Sequence, residues 1–304
     1  MERSLNPQRS ASHDSGRGDG RDLLVVSWNL FHGRDAPPNP ALFTTRSRLL
    51  RRTEDDGTYV QVNRLLYEEY ATTIANARWD VCLLQECPPG WASALAQRCG
   101  AESHRVLTSR NQLGPLTRAL ARWNPDLVGS NEGGSNLTLV RSPWLITQRH
   151  SLLLNPLPGR GRRERRRMAF ATLRGGDAEL CVTNLHASAN DQLLAERELL
   201  RAAEHAVEWA AQRPLILAGD FNVRPRESDL YELLEERFGL IGPTGPAAID
   251  HMLSRDLEVS SPPQAWPEAD RESIVHRGGQ RRRLRLSDHA PVQAAFMVPG
   301  RPMR

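Results

Sequence analysis

Not one of the 304 residues is lysine, so all 40 basic side chains are arginine. This absence excludes a lysine nucleophile, a Schiff-base lysine and the lysine of a P-loop. The arginines have two readings. Their planar forks match phosphate oxygens, and a coding bias that replaces lysine throughout produces the same composition; for the global excess the bias is the simpler account. Cysteine is scarce as well. The four, at Cys82, Cys87, Cys99 and Cys181, have a spacing that fits no zinc motif. Cys82 and Cys181 fall inside apolar runs and read as small buried hydrophobes. No run approaches the roughly 18 apolar residues of a membrane-spanning helix. The first 22 residues are polar and hold no apolar core of a signal peptide. The expectation is a cytoplasmic protein, with no membrane span and a disordered tail over 1–22. No segment repeats at a solenoid period.

What the chain does have is six short hydrophobic runs, each carrying polar residues of a chemical kind. They are VVSWNLFHGRD (25–35), DVCLLQE (80–86), LCVTNLHAS (180–188), LILAGDFNVRP (215–225), AIDHMLS (248–254) and LSDHAPV (286–292). The apolar residues of each read as a buried strand. At or just past the strand ends stand Asn29, Glu86, Asn184 with His186, Asp220 with Asn222, Asp250, and Asp288 with His289. Carboxylates, amides and imidazoles gathered there make a metal and phosphate site, not a core. Hydrolysis of an anionic phosphodiester needs charge neutralisation, an activated water and help for the leaving oxygen. Mg²⁺ or Mn²⁺ supplies the first on a few oxygen ligands. Glu86, between Gln85 and the Cys87-Pro88-Pro89 break, is the best ligand candidate. Asp220 and Asn222, two apart in an extended segment, are expected on one face. One would act on the attacking water while the other donates to a phosphate oxygen.

The order and spelling of these segments resemble the endonuclease/exonuclease/phosphatase superfamily, over roughly residues 23 to 297. That superfamily includes pancreatic-type deoxyribonuclease, exonuclease III-type enzymes, neutral sphingomyelinases and inositol polyphosphate 5-phosphatases. GDFN and SDHAPV carry the resemblance most specifically. It implies a four-layer α/β/β/α sandwich, two mixed β-sheets packed face to face with helices outside. The domain is expected over 23–298, with 299–304 as a tail. It implies a metal-dependent phosphoesterase in which Asn29, Glu86 and Asp288 hold Mg²⁺ or Mn²⁺. His289 would accept a proton from the attacking water, with Asp250 orienting its ring. His186 would bond the phosphate and serve the leaving oxygen, beside Asp220 and Asn222. Asn136, Asn184, Arg166 and Arg167 are the expected substrate contacts. The Tyr-x-Pro-Asn-Gly segment of abasic-site endonucleases is missing. So is the Pro-Ala-Trp-x-Asp-Arg segment of inositol 5-phosphatases, where this chain has Ala247-Ala248-Ile249-Asp250-His251. Both absences count against those substrates.

Between the motifs, helices are predicted over 59–78, from Pro88 to about Gln97, over 114–123, over 190–212 and near 227–237. Leu193, Leu194, Leu200, Ala203, Val207 and Trp209 supply the apolar positions of the longest. Residues 136–141 and 144–153 are expected to pair about Ser142-Pro143, and 168–174 with 179–185 about Gly175-Gly176-Asp177. Residues 34–58 and 260–285 are expected as loops. Two arginine runs bear on the substrate: Arg160, Arg162, Arg163, Arg165, Arg166 and Arg167, and then Arg281, Arg282, Arg283 and Arg285. Gripping a nucleic-acid backbone is one reading and a solvated loop the other. The leading expectation is a monomeric phosphodiesterase acting on nucleic acid. The alternatives are an enzyme for a small phosphorylated metabolite or lipid head group, and an inactive binding protein on the same fold. The last is disfavoured because every expected polar position is filled.

Overall fold

In strand β1 (Arg21–Asn29), Leu23 and Val25 point into one buried cluster while Val26 and Trp28 point into another. The same split recurs in β4 (Val81–Cys87), with Val81 and Leu83 against Cys82 and Leu84, and in β10 (Leu215–Asp220), with Ile216 and Ala218 against Leu215 and Leu217. A strand covered on both faces needs apolar residues at both parities, so its sequence is a continuous run rather than an alternation. The computed structural model describes residues 21–108, 134–155 and 165–300.

The remaining strands are β2 (Glu54–Asp55), β3 (Val60–Gln61), β5 (Ala101–Leu107), β6 (Ser135–Arg141), β7 (Leu145–Leu153), β8 (Arg167–Gly175), β9 (Ala178–His186), β11 (Asp250–Arg255), β12 (Glu258–Ala265), β13 (Glu272–Arg277), β14 (Gln280–Arg285) and β15 (Val292–Val298). The described α-helices are α1 (Thr45–Leu50), α2 (Tyr67–Asn76), α3 (Ala92–Cys99), α4 (Gln192–Ala210) and α5 (Leu230–Phe238). One sheet has the order β12-β15-β1-β4-β6-β5 and the other β11-β10-β9-β8-β7. Between them lies a core that includes Leu23, Val25, Leu83, Val182, Ile216 and Phe296. Tyr70, Ile74 and Leu95 of α2 and α3 cover the outer face of the first sheet. Leu199, Ala202, Ala206 and Leu234 of α4 and α5 cover the second. This is the four-layer sandwich of two mixed sheets.

Each sheet holds one parallel pair near its centre, β1 with β4 and β9 with β10, flanked by antiparallel neighbours. A parallel pair aligns its C-terminal ends, so Asn29 lies beside Gln85 and His186 beside Asp220. The antiparallel neighbours begin where these strands end. Asp250 opens β11 opposite Asp220, and Ser135 opens β6 opposite Cys87. All six motifs thus reach one rim. Asp250 gets there from the first position of its strand, not from its end.

Several expectations are corrected. Strands β6 and β7 do not pair; β6 belongs to the first sheet and β7 to the second, and the chain crosses between them at a cis Ser142-Pro143 bond. The helix predicted over 59–78 starts only at Tyr67, because Val60–Gln61 pairs with Glu54–Asp55. Residues 260–285 form strands, not a loop. The Pro262-Pro263 pair is tolerated because β12 is an edge strand and its register shifts there. In α4 the apolar stripe is alanine-rich, with Ala195, Leu199, Ala202, Ala203 and Ala206 buried while Leu193 is exposed. Small side chains let the helix lie close on the sheet. Residues 21–22 belong to β1 rather than to the tail. The helix predicted over 114–123 lies outside the described residues.

Near the rim the inter-sheet core turns polar. Asn184 shares the inward parity of Leu180 and Val182 and is fully buried. Its Nδ2 donates to Leu84 O and Leu137 O, both 3.1 Å away in the other sheet, and its Oδ1 accepts from Gln85 Nε2 at 2.8 Å. Asn136 Nδ2 crosses in the other direction, to Arg167 O at 2.7 Å and Asn184 O at 3.2 Å. Asn136 and Asn184, expected as substrate contacts, are placed here as ties between the sheets. Asn184→Ala is expected to cost about 3 kcal/mol, because it strands buried donors and acceptors. The melting temperature should fall by about 5 °C. Circular-dichroism melting that finds no change would show that the tie carries no stability.

Candidate active site

Inward parity also decides which polar side chains meet at the rim. Asn29 continues the row of Leu23 and Val25, Asp220 that of Ile216 and Ala218, and His186 that of Leu180 and Val182. Asn29 Nδ2 donates to Asp220 Oδ2 across the sheets at 2.9 Å, and its Oδ1 accepts from Phe31 N at 3.0 Å. His289 Nδ1 lies 2.7 Å from Asp250 Oδ2, and its Nε2 lies 3.8 Å from Asp220 Oδ2 and 3.9 Å from Asp288 Oδ1. Trp28 Nε1 donates to His289 O at 3.0 Å and fixes the backbone beneath the ring. Ligand atoms of Asp220, Asp250 and His289 all lie within 4.8 Å of one another.

Glu86 breaks the parity rule. Its position in β4 would send it outward with Cys82 and Leu84. A register shift between Leu84 and Cys87 and a φ of 49° turn it into the site instead. Glu86 Oε2 then lies 3.2 Å from His32 Nε2, and Oε1 lies 3.6 Å from His186 Nδ1. Left-handed backbone recurs around the rim, at Phe31 (φ 47°), His32 (φ 53°), Asn222 (φ 53°) and Ser287 (φ 58°). Non-glycine residues rarely hold this conformation, and where they do the surrounding structure imposes it. Gly219, before Asp220, has φ 143°, and a Cβ there would lie 1.9 Å from Leu185 O, so only glycine fits.

The two imidazoles differ in charge. His186 Nδ1 lies 2.8 Å from a guanidinium nitrogen of Arg166, which can only donate, so the ring proton is on Nε2, 3.4 Å from Asp220 Oδ2. Burial and the positive Arg166 push the His186 pKa well below 6.5, so the ring is neutral. For His289 burial acts downward as well. The Asp250 hydrogen bond and the carboxylates of Asp250, Asp220 and Asp288 outweigh it and raise the pKa to about 10. Burial and the neighbouring Asp250 push Asp220 up to about 7. Three carboxylates, of Asp220, Asp250 and Asp288, surround the single His289 imidazolium, so negative charge is in excess, and Asp250 Oδ1 is buried without a hydrogen-bond partner. A hard divalent cation fits that donor set.

The expected residues fall into two groups. Asn29, Glu86, His186, Asp220, Asp250, Asp288 and His289 converge on the rim, with Asp288 half-exposed at its edge. Asn222 joins them, but not through extended spacing. Its φ is left-handed, its N–H donates to Asp220 Oδ1 at 3.1 Å and its Nδ2 to Ala187 O at 3.2 Å. Arg166 is buried against His186, while Arg167 opens β8 and bonds Asn136 through its carbonyl. His251 packs away from the site on Phe221 and Tyr231. Two contributors were not anticipated. His32 lacked a signal beyond following the Trp28-Asn29 pair. Ser287 Oγ donates to Asn29 O at 2.6 Å and accepts from His289 N at 3.1 Å, locking the two motif ends together.

The second arginine run is engaged elsewhere. Hairpin β13–β14 docks on residues 54–61: Arg282 Nε pairs with Asp55 Oδ1 at 2.8 Å, Arg283 N donates to Thr58 O at 2.8 Å, and Tyr59 Oη donates to Glu272 at 2.8 Å. Arg283 also pairs with Glu272, and Arg285 with Glu268 and Ala36 O. The stretch expected as a loop over 34–58 and this hairpin therefore form one flanking unit. It joins the rim where Asp35 bridges Leu286 and Ser287 N donates to Arg34 O. Arg160, Arg162 and Arg163 lie outside the described residues. Arg165 is exposed.

A site of clustered carboxylates, amides and imidazoles where two mixed sheets meet defines a class of phosphoester hydrolases. The chain matches the Endonuclease/Exonuclease/phosphatase family over residues 26–289, and it belongs to that family. The fold is similar to an endonuclease/exonuclease/phosphatase family protein of Bacteroides thetaiotaomicron, with a TM-score of 0.63 and 16% identity over 92% of this chain and 98% of that one. It is also similar to the mannosyl-6-phosphatase of the same organism, with a TM-score of 0.61 and 16% identity over 90% and 99% of the two chains. The catalytic domain of human Nocturnin with a bound sulfate anion gives 0.56 and 14% over 91% and 94%. At these identities the likeness shows the fold alone. No curated protein sequence matches the chain. Members of the family hydrolyse phosphoester bonds and generally use a divalent metal. Among the described residues no helix is long and apolar enough to cross a membrane.

The raised pKa values of Asp220 and His289 have a stability consequence. Both groups hold a proton more tightly folded than unfolded, Asp220 up to about 7 and His289 up to about 10. Their contribution is full at low pH and is lost as pH rises through those values. In excess chelator, the stability of Asp220→Asn relative to the parent is expected to improve by roughly 2 kcal/mol between pH 5 and pH 8. Denaturant titrations of both proteins at the two pH values measure this. A pH-independent difference would mean that Asp220 ionises normally.

Proposed function

We propose that this protein is a divalent-metal-dependent phosphoesterase that hydrolyses a compact phosphorylated substrate by attack of an activated water. The convergence of Asp220, Asp250 and His289 beside Glu86 carries the reading. Glu86, Asn29 and Asp288 are the residues that would hold the cation. A bound divalent cation would neutralise the phosphoryl oxygens and relieve the carboxylate charge that keeps the proton on His289. His289 Nε2 then takes a proton from the attacking water, and Asp250, on Nδ1, fixes the ring and stabilises the imidazolium. Asp220, 3.8 Å from Nε2, tunes the affinity of the ring for the proton. Neutral His186, held by Arg166, presents its Nε2–H towards Asp220 and is a poor proton source for the leaving oxygen. Positioning is the role its surroundings support, a change from the one the resemblance implied.

The flanking unit argues for a compact substrate. Arg282 is paired with Asp55 and Arg285 is largely covered beside Glu268, so only Arg281 and Arg283 of this run present their side chains openly to solvent, which argues against a continuous backbone-gripping stripe. Nucleic acid stays the competing substrate through the exposed Arg165 and its neighbours.

His289→Ala is expected to lower kcat/KM by about 10²-fold or more. Excess chelator should abolish turnover, and Mg²⁺ or Mn²⁺ should restore it. Plasmid DNA, single-stranded DNA, RNA, sugar phosphates, inositol phosphates and sphingomyelin, assayed together, separate the substrate classes. Turnover of DNA or RNA that falls steeply with salt, with none on the small esters, would transfer the assignment to nucleic acid. Full activity in chelator after dialysis would remove the metal-dependent reading.

A further inference from the structure

We propose that His32 is a nitrogen ligand of the metal site, so that this chain binds its cation through an imidazole as well as through oxygens. The inference rests on the reading that Glu86 holds a divalent cation.

The geometry comes first. Two ligands held cis on one octahedral ion at about 2.1 Å lie about 3 Å apart. His32 Nε2 and Glu86 Oε2 are 3.2 Å apart, and both side chains are accessible from solvent. The other imidazole beside Glu86 does not qualify. His186 Nδ1 lies 3.6 Å from Glu86 Oε1 but faces the Arg166 guanidinium at 2.8 Å, and a nitrogen that accepts from a cationic donor is not open to a metal.

The second observation is the backbone that presents His32. Phe31, His32 and Gly33 have φ of 47°, 53° and 77°, three left-handed residues in succession. Such a run is costly and persists only where the surroundings enforce it. Asn29 Oδ1 accepts from Phe31 N, and Leu30 N donates to Gln85 O at 2.9 Å, which ties the turn to the strand carrying Glu86. Across the turn the Trp91 ring occupies the place of a Gly33 side chain; a Cβ there would lie 2.4 Å from the ring. Gly134 backs onto the pair: a Cβ there would lie 3.0 Å from Thr108 Oγ1, 3.6 Å from His32 Cε1 and 3.7 Å from the Glu86 Cα, so a larger residue would crowd the imidazole and the carboxylate together. The turn therefore aims one specific ring at one specific carboxylate.

The consequence is selectivity. Mg²⁺ favours oxygen ligands and keeps its waters, whereas Mn²⁺ and later divalent ions accept imidazole. A mixed nitrogen and oxygen set shifts preference towards Mn²⁺.

Calorimetric titration of Mn²⁺ and Mg²⁺ into the chelator-treated full-length protein tests this, alongside electron spin-echo modulation of the Mn²⁺-loaded form. His32→Ala is the primary variant. His32→Asn is the second, because asparagine tolerates left-handed backbone and keeps the turn. The parent should show ¹⁴N modulation from a directly bound imidazole, and both variants should lose it. Mn²⁺ affinity should weaken by about 10- to 100-fold, on the scale seen when metal-site partners are removed. Mg²⁺ affinity should change by less than about 3-fold, as an oxygen-preferring ion implies. If the parent binds Mn²⁺, Glu86→Gln abolishes binding and the His32 variants retain both modulation and affinity, then His32 is only an ion-pair partner of Glu86. The inference then fails while the proposed function stands. If Glu86→Gln binds Mn²⁺ as the parent does, the metal reading of Glu86 fails and this inference with it.

Discussion

The structure depends on buried amides that cross between the two sheets. Asn184 reaches the carbonyls of Leu84 and Leu137 and receives Gln85, and Asn29 reaches Asp220. Two apolar sheet faces slide on one another at little cost, because hydrophobic contact is not directional. Buried hydrogen bonds are directional, and leaving one unmade is expensive. They set the relative position of the sheets at the rim. Glu86 and Asn29 arrive on one sheet, and His186, Asp220 and Asp250 on the other. Without that registration the groups would be present but not assembled.

Regular strands alone cannot build this rim. Alternation delivers Asn29, Gln85, Asn184, His186, Asp220 and Asp250 to the inner face, continuing rows that are apolar deeper in the core. It delivers Glu86 to the wrong side. The register shift at the end of β4 corrects this, at the cost of a left-handed glutamate. The same conformation at Phe31, His32, Asn222 and Ser287 shows how the backbone beyond the strands is bent to aim side chains at a common point. Gly219 takes the one position where no side chain fits against Leu185.

Charge is distributed with the same economy. The rim collects carboxylates until Asp220 resists ionising and His289 holds its proton tightly, an arrangement suited to a cation. Arginine neutralises carboxylates elsewhere. The pair of Arg282 with Asp55 and the hydrogen bond from Tyr59 to Glu272 join two distant segments into one flank of the site. Arg166 fixes the protonation of His186 from behind. An arginine-rich sequence therefore does not by itself make a nucleic-acid groove, because some guanidinium groups are taken up by partners inside the fold.

The sequence by itself determined the family, the layered fold and most of the rim. Strands buried on both faces leave continuous apolar runs, and GDFN and SDHAPV are specific enough to name the residues that end them. It also indicated the hairpin about Gly175-Gly176-Asp177 between β8 and β9, where Gly176 takes φ 61°. Tertiary structure decided the rest. Whether Ser142-Pro143 closes a hairpin or carries the chain to the other sheet depends on partners far away in sequence. Whether Asn184 touches substrate or stitches sheets depends on what stands opposite it, and only packing reveals Leu84, Leu137 and Gln85 there. Arg282 looks free in the sequence until Asp55 folds against it. His32 is an ordinary histidine in the sequence. Its role comes from a left-handed turn and a bulge in another strand, two departures from regular backbone that no local pattern encodes.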